Sequence, residues 1–174
     1  MKKIAYILIL FFALLVNSAG TASAQSYVAE SSATLKPKTA AYDYRIRVLK
    51  AYLLKHNSPL ADYSEEFIKT ADKYNIDWRL VPAISGVEST FGKRIPKNSF
   101  NAYGWANGKY SFNSWEHSIE VVSKTLRERY MDKGATSIGQ IARIYAPPSS
   151  TWAAKVRFFM RKIDPIPVSF SLEG

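Results

Sequence analysis

The stretch from Leu80 to Gly92, Leu-Val-Pro-Ala-Ile-Ser-Gly-Val-Glu-Ser-Thr-Phe-Gly, constrains this chain most. On a helix, at roughly 100° per residue, Leu80, Val81, Ile84 and Val87 share one apolar stripe that faces the core. Glu88 falls inside that stripe, about 40° from Ile84 and about 20° from Val81. Its carboxylate therefore faces the core or a cleft, or else snorkels from the stripe's edge to solvent. Gly92 is a natural helix stop, which puts Glu88 in the last turn at the negative end of the helix dipole. Desolvation and the dipole both disfavour the ionised form and push its pKa up. A carboxylic acid kept protonated near neutral pH suits proton donation to a leaving-group oxygen.

The surrounding chain reads as further helices. Ile46, Leu49 and Leu53 are spaced helically within Asp43–His56, and Asn57-Ser58-Pro59 ends that segment. Asp62, with Glu65 three residues on, predicts a capping box for a helix carrying Tyr63, Phe67, Ala71 and Tyr74. Asp77 can cap the central helix, and Pro82 implies either that the helix starts near Leu80 or that it begins with a distorted turn. Asn113 or Ser114 begins a long helix with Trp115, Ile119, Val122, Leu126 and Tyr130 on one face, ended at Gly134. Ser137-x-x-Gln140 is a second capping box, opening a helix with Ile138, Ile141 and Tyr145 that Pro147-Pro148 terminates. A last helix from about Ser150 buries Trp152, Val156, Phe159 and Ile163. The expectation is an all-α domain of about six helices.

Residues 89–114 differ. Gly92, Pro96, Gly104 and Gly108 alternate with Phe91, Phe100, Tyr103, Trp105, Tyr110 and Phe112 and with four asparagines. This predicts a loop-rich lobe with one short hairpin around Asn107-Gly108. Aromatic faces and side-chain amides are the groups that bind sugar rings and hydroxyls.

Met1-Lys2-Lys3, the apolar run Ile4–Val16 and Ala22-Ser23-Ala24 form a signal-peptide pattern with cleavage expected before Gln25. Residues 25–41 are small and polar and read as a flexible linker, 42–164 as the folded domain and 165–174 as a tail. With 24 Lys plus Arg against 14 Asp plus Glu, the net charge is +10, and loss of Lys2 and Lys3 leaves +8. A secreted or envelope-associated protein of that charge suits anionic cell-wall polymers, whereas nucleic acid is a poor partner. A membrane contact is expected only if the signal peptide stays uncleaved. There is no cysteine and there are only two histidines, so neither thiolate chemistry nor a histidine-rich metal site is expected, and no cofactor is called for.

Several blocks resemble a family. Glu88-Ser89-Thr90-Phe91-Gly92-Lys93 is similar to the Glu-Ser-Gly-Trp-Gly-Lys signature of bacterial glucosaminidase domains, the endo-β-N-acetylglucosaminidase type of autolysins. Asn101-Ala102-Tyr103-Gly104-Trp105 resembles its Asn-Leu-Phe-Gly-Ile segment, Tyr145-Ala146-Pro147 its Tyr-Ala-Thr segment, and Trp152-Ala153-Ala154-Lys155-Val156 its Tyr-Ala-x-Lys-Val close. Glu88-Ser89-x-Phe91 also resembles the start of soluble lytic transglycosylase domains. The blocks stand in order across roughly residues 60–163. The resemblance implies a lysozyme-like fold and cleavage of the β-1,4-linked peptidoglycan strand of N-acetylglucosamine and N-acetylmuramic acid. It also implies Glu88 as general acid and Tyr145 as its hydrogen-bonding assistant. Phe91, Asn101, Tyr103, Gly104 and Trp105 are the substrate-binding candidates.

The chain departs from the two-carboxylate scheme, which needs a second acid across the scissile bond. Residues 89–115 contain none, and Glu116 is explained by capping with Asn113. Two single-acid routes remain, attack by the substrate's 2-acetamido group or by the muramic 6-hydroxyl. The missing acid also motivates another reading, a cell-wall binding module without turnover. A cationic membrane-active protein is the third, disfavoured because the charges are spread over several helices.

Overall fold

The computed structural model describes residues 43–165, so the expected signal peptide, the linker and residues 166–174 lie outside the described residues. Within them the chain is all-α. Its six α-helices are α1 (Tyr44–Lys55), α2 (Ser64–Lys73), α3 (Leu80–Ser89), α4 (Trp115–Thr125), α5 (Ile138–Tyr145) and α6 (Trp152–Ile163). No strand occurs among the described residues.

Helix α3 is the centre. Every residue from Leu80 to Gly86 is buried, on all faces and not on one stripe only; Val87 is half-buried and Glu88 alone is exposed. A helix apolar all round is a core helix, and its largest packing partner is α6. Pro82 lies in the first turn, where its missing N–H has no helical partner to lose. Asp77 Oδ1 accepts from Arg79 N (3.0 Å) and caps the turn leading in. The buried Arg79 pairs with Asp77 (2.6 Å) and donates through Nη1 to the Asp164 carbonyl (2.9 Å), pinning the start of α3 to the end of α6.

Three local expectations need correction. The helix does not wait for Gly92 to stop: Thr90 and Phe91 are already left-handed, with φ of 55° and 58°. Asp62 does not cap α2. A 3-10 turn, Ala61–Tyr63, absorbs it, and its exposed carboxylate pairs with Lys50 at 3.3 Å instead. The helix opened by Ser114 is α-helical only to Thr125. It continues as a π turn over Leu126–Tyr130 and a 3-10 turn over Met131–Lys133, ending at Gly134 with φ 95°. A π turn accommodates an extra residue, and beyond it Tyr130 is half-buried against the core, whereas Leu126 is fully buried.

The expected hairpin at Asn107-Gly108 is absent. Ala106, Asn107 and Gly108 all have positive φ and coil into successive tight turns, with Gly108 N bonded to Trp105 O (3.0 Å) and Lys109 N to Ala106 O (3.1 Å). Asn101 supplies what strand pairing would have supplied. Its Nδ2 donates to the carbonyls of Trp105 and Tyr110, and its Oδ1 accepts from Trp105 N, each at 2.9 Å.

Candidate active site

Glu88 projects from the last turn of α3 against the lobe. Its Oε1 accepts a 2.6 Å hydrogen bond from Trp152 Nε1 at the start of α6. Its Oε2 lies over Gly104, where a Cβ would stand 2.8 Å away. Gly104, at φ 66°, is thus the one residue type that leaves the carboxylate its room. The residue as a whole is exposed, yet the indole and the Gly104 backbone displace water from its head group. That burial raises the Glu88 pKa, against the lowering action of the Trp152 N–H and the Lys155 charge.

Beyond Gly104 opens a cleft of about 230 Å³, formed by the lobe residues Tyr103–Asn107 on one side and the rings of Tyr130 and Tyr145 on the other. The Tyr145 hydroxyl donates to the Tyr103 carbonyl at 2.6 Å, and its ring stacks on Trp152 with centroids 5.0 Å apart. Burial and the nearby Glu88 charge hold the phenol well above its ordinary pKa, so it stays neutral. Its donor is spent, and its oxygen lone pairs remain for a ligand hydroxyl. The lobe is fastened to α3 by Ser89, whose Oγ accepts from Gly92 N and reaches the Ala102 carbonyl, both at 2.8 Å.

The candidate residues divide. Glu88, Tyr145, Gly104 and Trp105 meet at or beside the cleft. Three others serve differently from expectation. Phe91 is 1% exposed and packs on Tyr52, His56 and Phe159, with its ring filling the space a side chain at Gly86 would need, so it offers no face to a ligand. Asn101 is buried and its amide is consumed in holding the loop. Tyr103 gives the cleft its backbone while its ring is fully buried in the core. Two residues assigned to the core alone turn out to belong here. Tyr130 arrives through the π turn. Trp152 is 3% exposed as expected of a core residue, but a buried indole N–H requires an acceptor, and that acceptor is Glu88.

Among the described residues, the groups acting on the Glu88 carboxyl do not include a second carboxylate. Glu116 lies at the second position of α4, not the third, because Ser114 and not Asn113 is the cap. It interacts with the Ser114 hydroxyl and its own N–H, which lower its pKa. Burial pushes Glu120 up, but Lys73, at 2.5 Å, and the Tyr74 hydroxyl outweigh it and hold the carboxylate ionised. A second hollow of about 550 Å³ lies between α3 and α6, lined by Val87, Ala154, Lys155 and Phe158 among others. It is larger and more apolar, and Lys155 is the one titratable group among its described lining residues. No family model and no curated protein matches this sequence.

Proposed function

We propose that this protein is a secreted glycosidase that cuts the β-1,4 glycan strand of peptidoglycan with Glu88 as its only acid–base carboxyl, on a lysozyme-like helical scaffold. One observation carries the reading. A carboxyl whose pKa is raised by burial stands with one oxygen held by an indole and the other over the glycine at the edge of an aromatic cleft. The ordered blocks resembling glucosaminidase domains fall on that constellation at Glu88, Gly104, Tyr145 and Trp152.

In this reading the Glu88 proton passes to the glycosidic oxygen as the C1–O bond breaks, and the bond's electron pair stays on that oxygen. The substrate's own 2-acetamido oxygen or a 6-hydroxyl then closes on C1. In the first route Glu88 afterwards deprotonates the water that opens the ring intermediate. In the second it takes the hydroxyl proton, and an anhydro sugar results. Tyr145 and the backbone of residues 103–107 would accept and donate to sugar hydroxyls, with Trp105 and Tyr130 as stacking faces.

The lack of a second carboxyl beside Glu88 also favours a module that binds wall glycan without cutting it. Mass spectrometry of purified peptidoglycan after incubation separates the two. New reducing or anhydro ends are expected; tight binding with an undigested strand would leave the binding module.

A further inference from the structure

The indole of Trp152 occupies an unusual place for a residue that starts a helix on its buried face. It is 3% exposed and lies against the Tyr145 ring at 28° between planes, and it aims its single polar atom at Glu88 Oε1. An indole N–H donates and cannot accept. The oxygen facing it accepts in both protonation states of Glu88, and because a carbonyl oxygen accepts better than a hydroxyl oxygen, the proton, when present, is favoured on the other oxygen. That oxygen, Oε2, is the one lying over Gly104 at the edge of the cleft.

We infer that Trp152 is the positioning residue of this site: its N–H fixes the Glu88 carboxyl so that the acidic proton is carried on Oε2, toward the glycan, in preference to Oε1. The inference deepens the proposed glycosidase reading and rests on it for its catalytic meaning. Tyr145 completes the device. Its hydroxyl is anchored on the Tyr103 carbonyl, so the ring backing the indole is itself fixed to the lobe that carries Gly104. The donor, the carboxyl and the cleft wall are thereby held in register across α3, α5, α6 and the lobe. The titratable groups acting on this assembly are Lys155 on α6, which favours the carboxylate, and the phenols of Tyr145 on α5, Tyr130 in the π turn and Tyr103 in the lobe, all raised above their ordinary pKa and neutral.

The test is Trp152→Phe, which keeps a stacking ring but deletes the donor. Loss of the N–H removes an interaction that favours the ionised carboxyl, so the carboxyl's titration moves to higher pH. The pH profile of kcat should then lose activity on its alkaline side at higher pH than wild type does. Its plateau should fall by about tenfold or more, because a carboxyl free to rotate is misaligned. KM should change by less than about threefold, since the indole is walled off from the cleft by Tyr145. Carbon-13 NMR titration of the Glu88 carboxyl should show the same upward shift without any turnover. Should the phenylalanine variant fail to fold, β-(3-benzothienyl)alanine at position 152 replaces the N–H by sulfur in a ring system of nearly the same shape. An unmoved NMR titration and an unmoved alkaline limb in a folded variant would overturn the role of Trp152, as would a loss confined to KM. A wild-type protein that cuts no glycan would instead remove the glycosidase reading, and the NMR titration would still decide the indole–carboxyl linkage.

Discussion

At the scale of single residues, Glu88 and Gly104 form one unit. The pKa of Glu88 is raised in the folded state, so the native protein holds a proton over a window above the ordinary glutamate value, near about 4.3. Stability contributed by such a group is present below that window and is lost as pH rises through it. Glu88→Gln removes the titration while keeping the acceptor for Trp152. The variant should melt at or above the wild-type temperature at pH 7, with the difference shrinking at pH 4, and turnover should fall by at least about a hundredfold. Calorimetry at the two pH values, paired with glycan digestion, checks both halves; a variant clearly less stable at pH 7 would mean the carboxylate is stabilising and the site is wetter than described. Gly104→Ala attacks the same contact from the lobe. A left-handed alanine costs about 1–2 kcal/mol, and its Cβ would press on Oε2. A denaturation midpoint lowered accordingly and activity cut by about tenfold or more are expected. Glu88 was legible in the sequence because a carboxylate inside an apolar stripe is anomalous on periodicity alone. Trp152 was not, because its spacing is that of an ordinary core residue, and only the three-dimensional approach of α6 to the end of α3 reveals what its N–H touches.

Among elements, the helices were readable and the lobe was not. Six helical periods in the sequence correspond to six α-helices, because apolar spacing reports the face that each helix buries. Helix starts were read less well. Ser114 and Ser137 cap as their residue types suggest, each accepting from the N–H three residues on, whereas Asp62 is diverted into a 3-10 turn that no pattern announces. In the lobe, Asn107-Gly108 carries the composition of a hairpin turn. A hairpin also needs flanking strands with two free ladders of N–H and C=O groups. Asn101 claims the main-chain groups at Trp105 and Tyr110, so those ladders never form. Asn101→Ala should therefore cost about 2 kcal/mol by loss of buried hydrogen bonds, measured by urea unfolding. It should also open residues 102–110 to limited proteolysis while the helices stay folded. Unchanged proteolysis would show that the turn sequence alone holds the loop.

For the whole molecule, charge and anchoring matter most. The chain carries +10, and Lys155 places one of its positive charges beside the Glu88 carboxyl. Binding to isolated cell walls should weaken as salt rises from low concentration, because attraction between exposed charges is screened over about 10 Å at 0.1 M. Sedimentation of protein with walls across a salt series measures it, and salt-independent binding would assign the affinity to the aromatic cleft instead. The clamp on the lobe has a separate consequence. Asn101 grips Trp105 and Tyr110 only through peptide N–H and C=O groups, and Tyr145 grips Tyr103 the same way. A peptide group is blind to the side chain beside it. Of the half-exposed or exposed positions between the two ends of that grip, Trp105 and Lys109, whose φ is not positive, can accordingly be rewritten without loosening what holds them, whereas the left-handed Ala106, Asn107 and Gly108 are constrained by their backbone. Under the proposed reading the acid on α3 and the faces that meet a ligand are thus separate, and a library confined to Trp105 and Lys109 would sample new ligand preferences on an unaltered carboxyl.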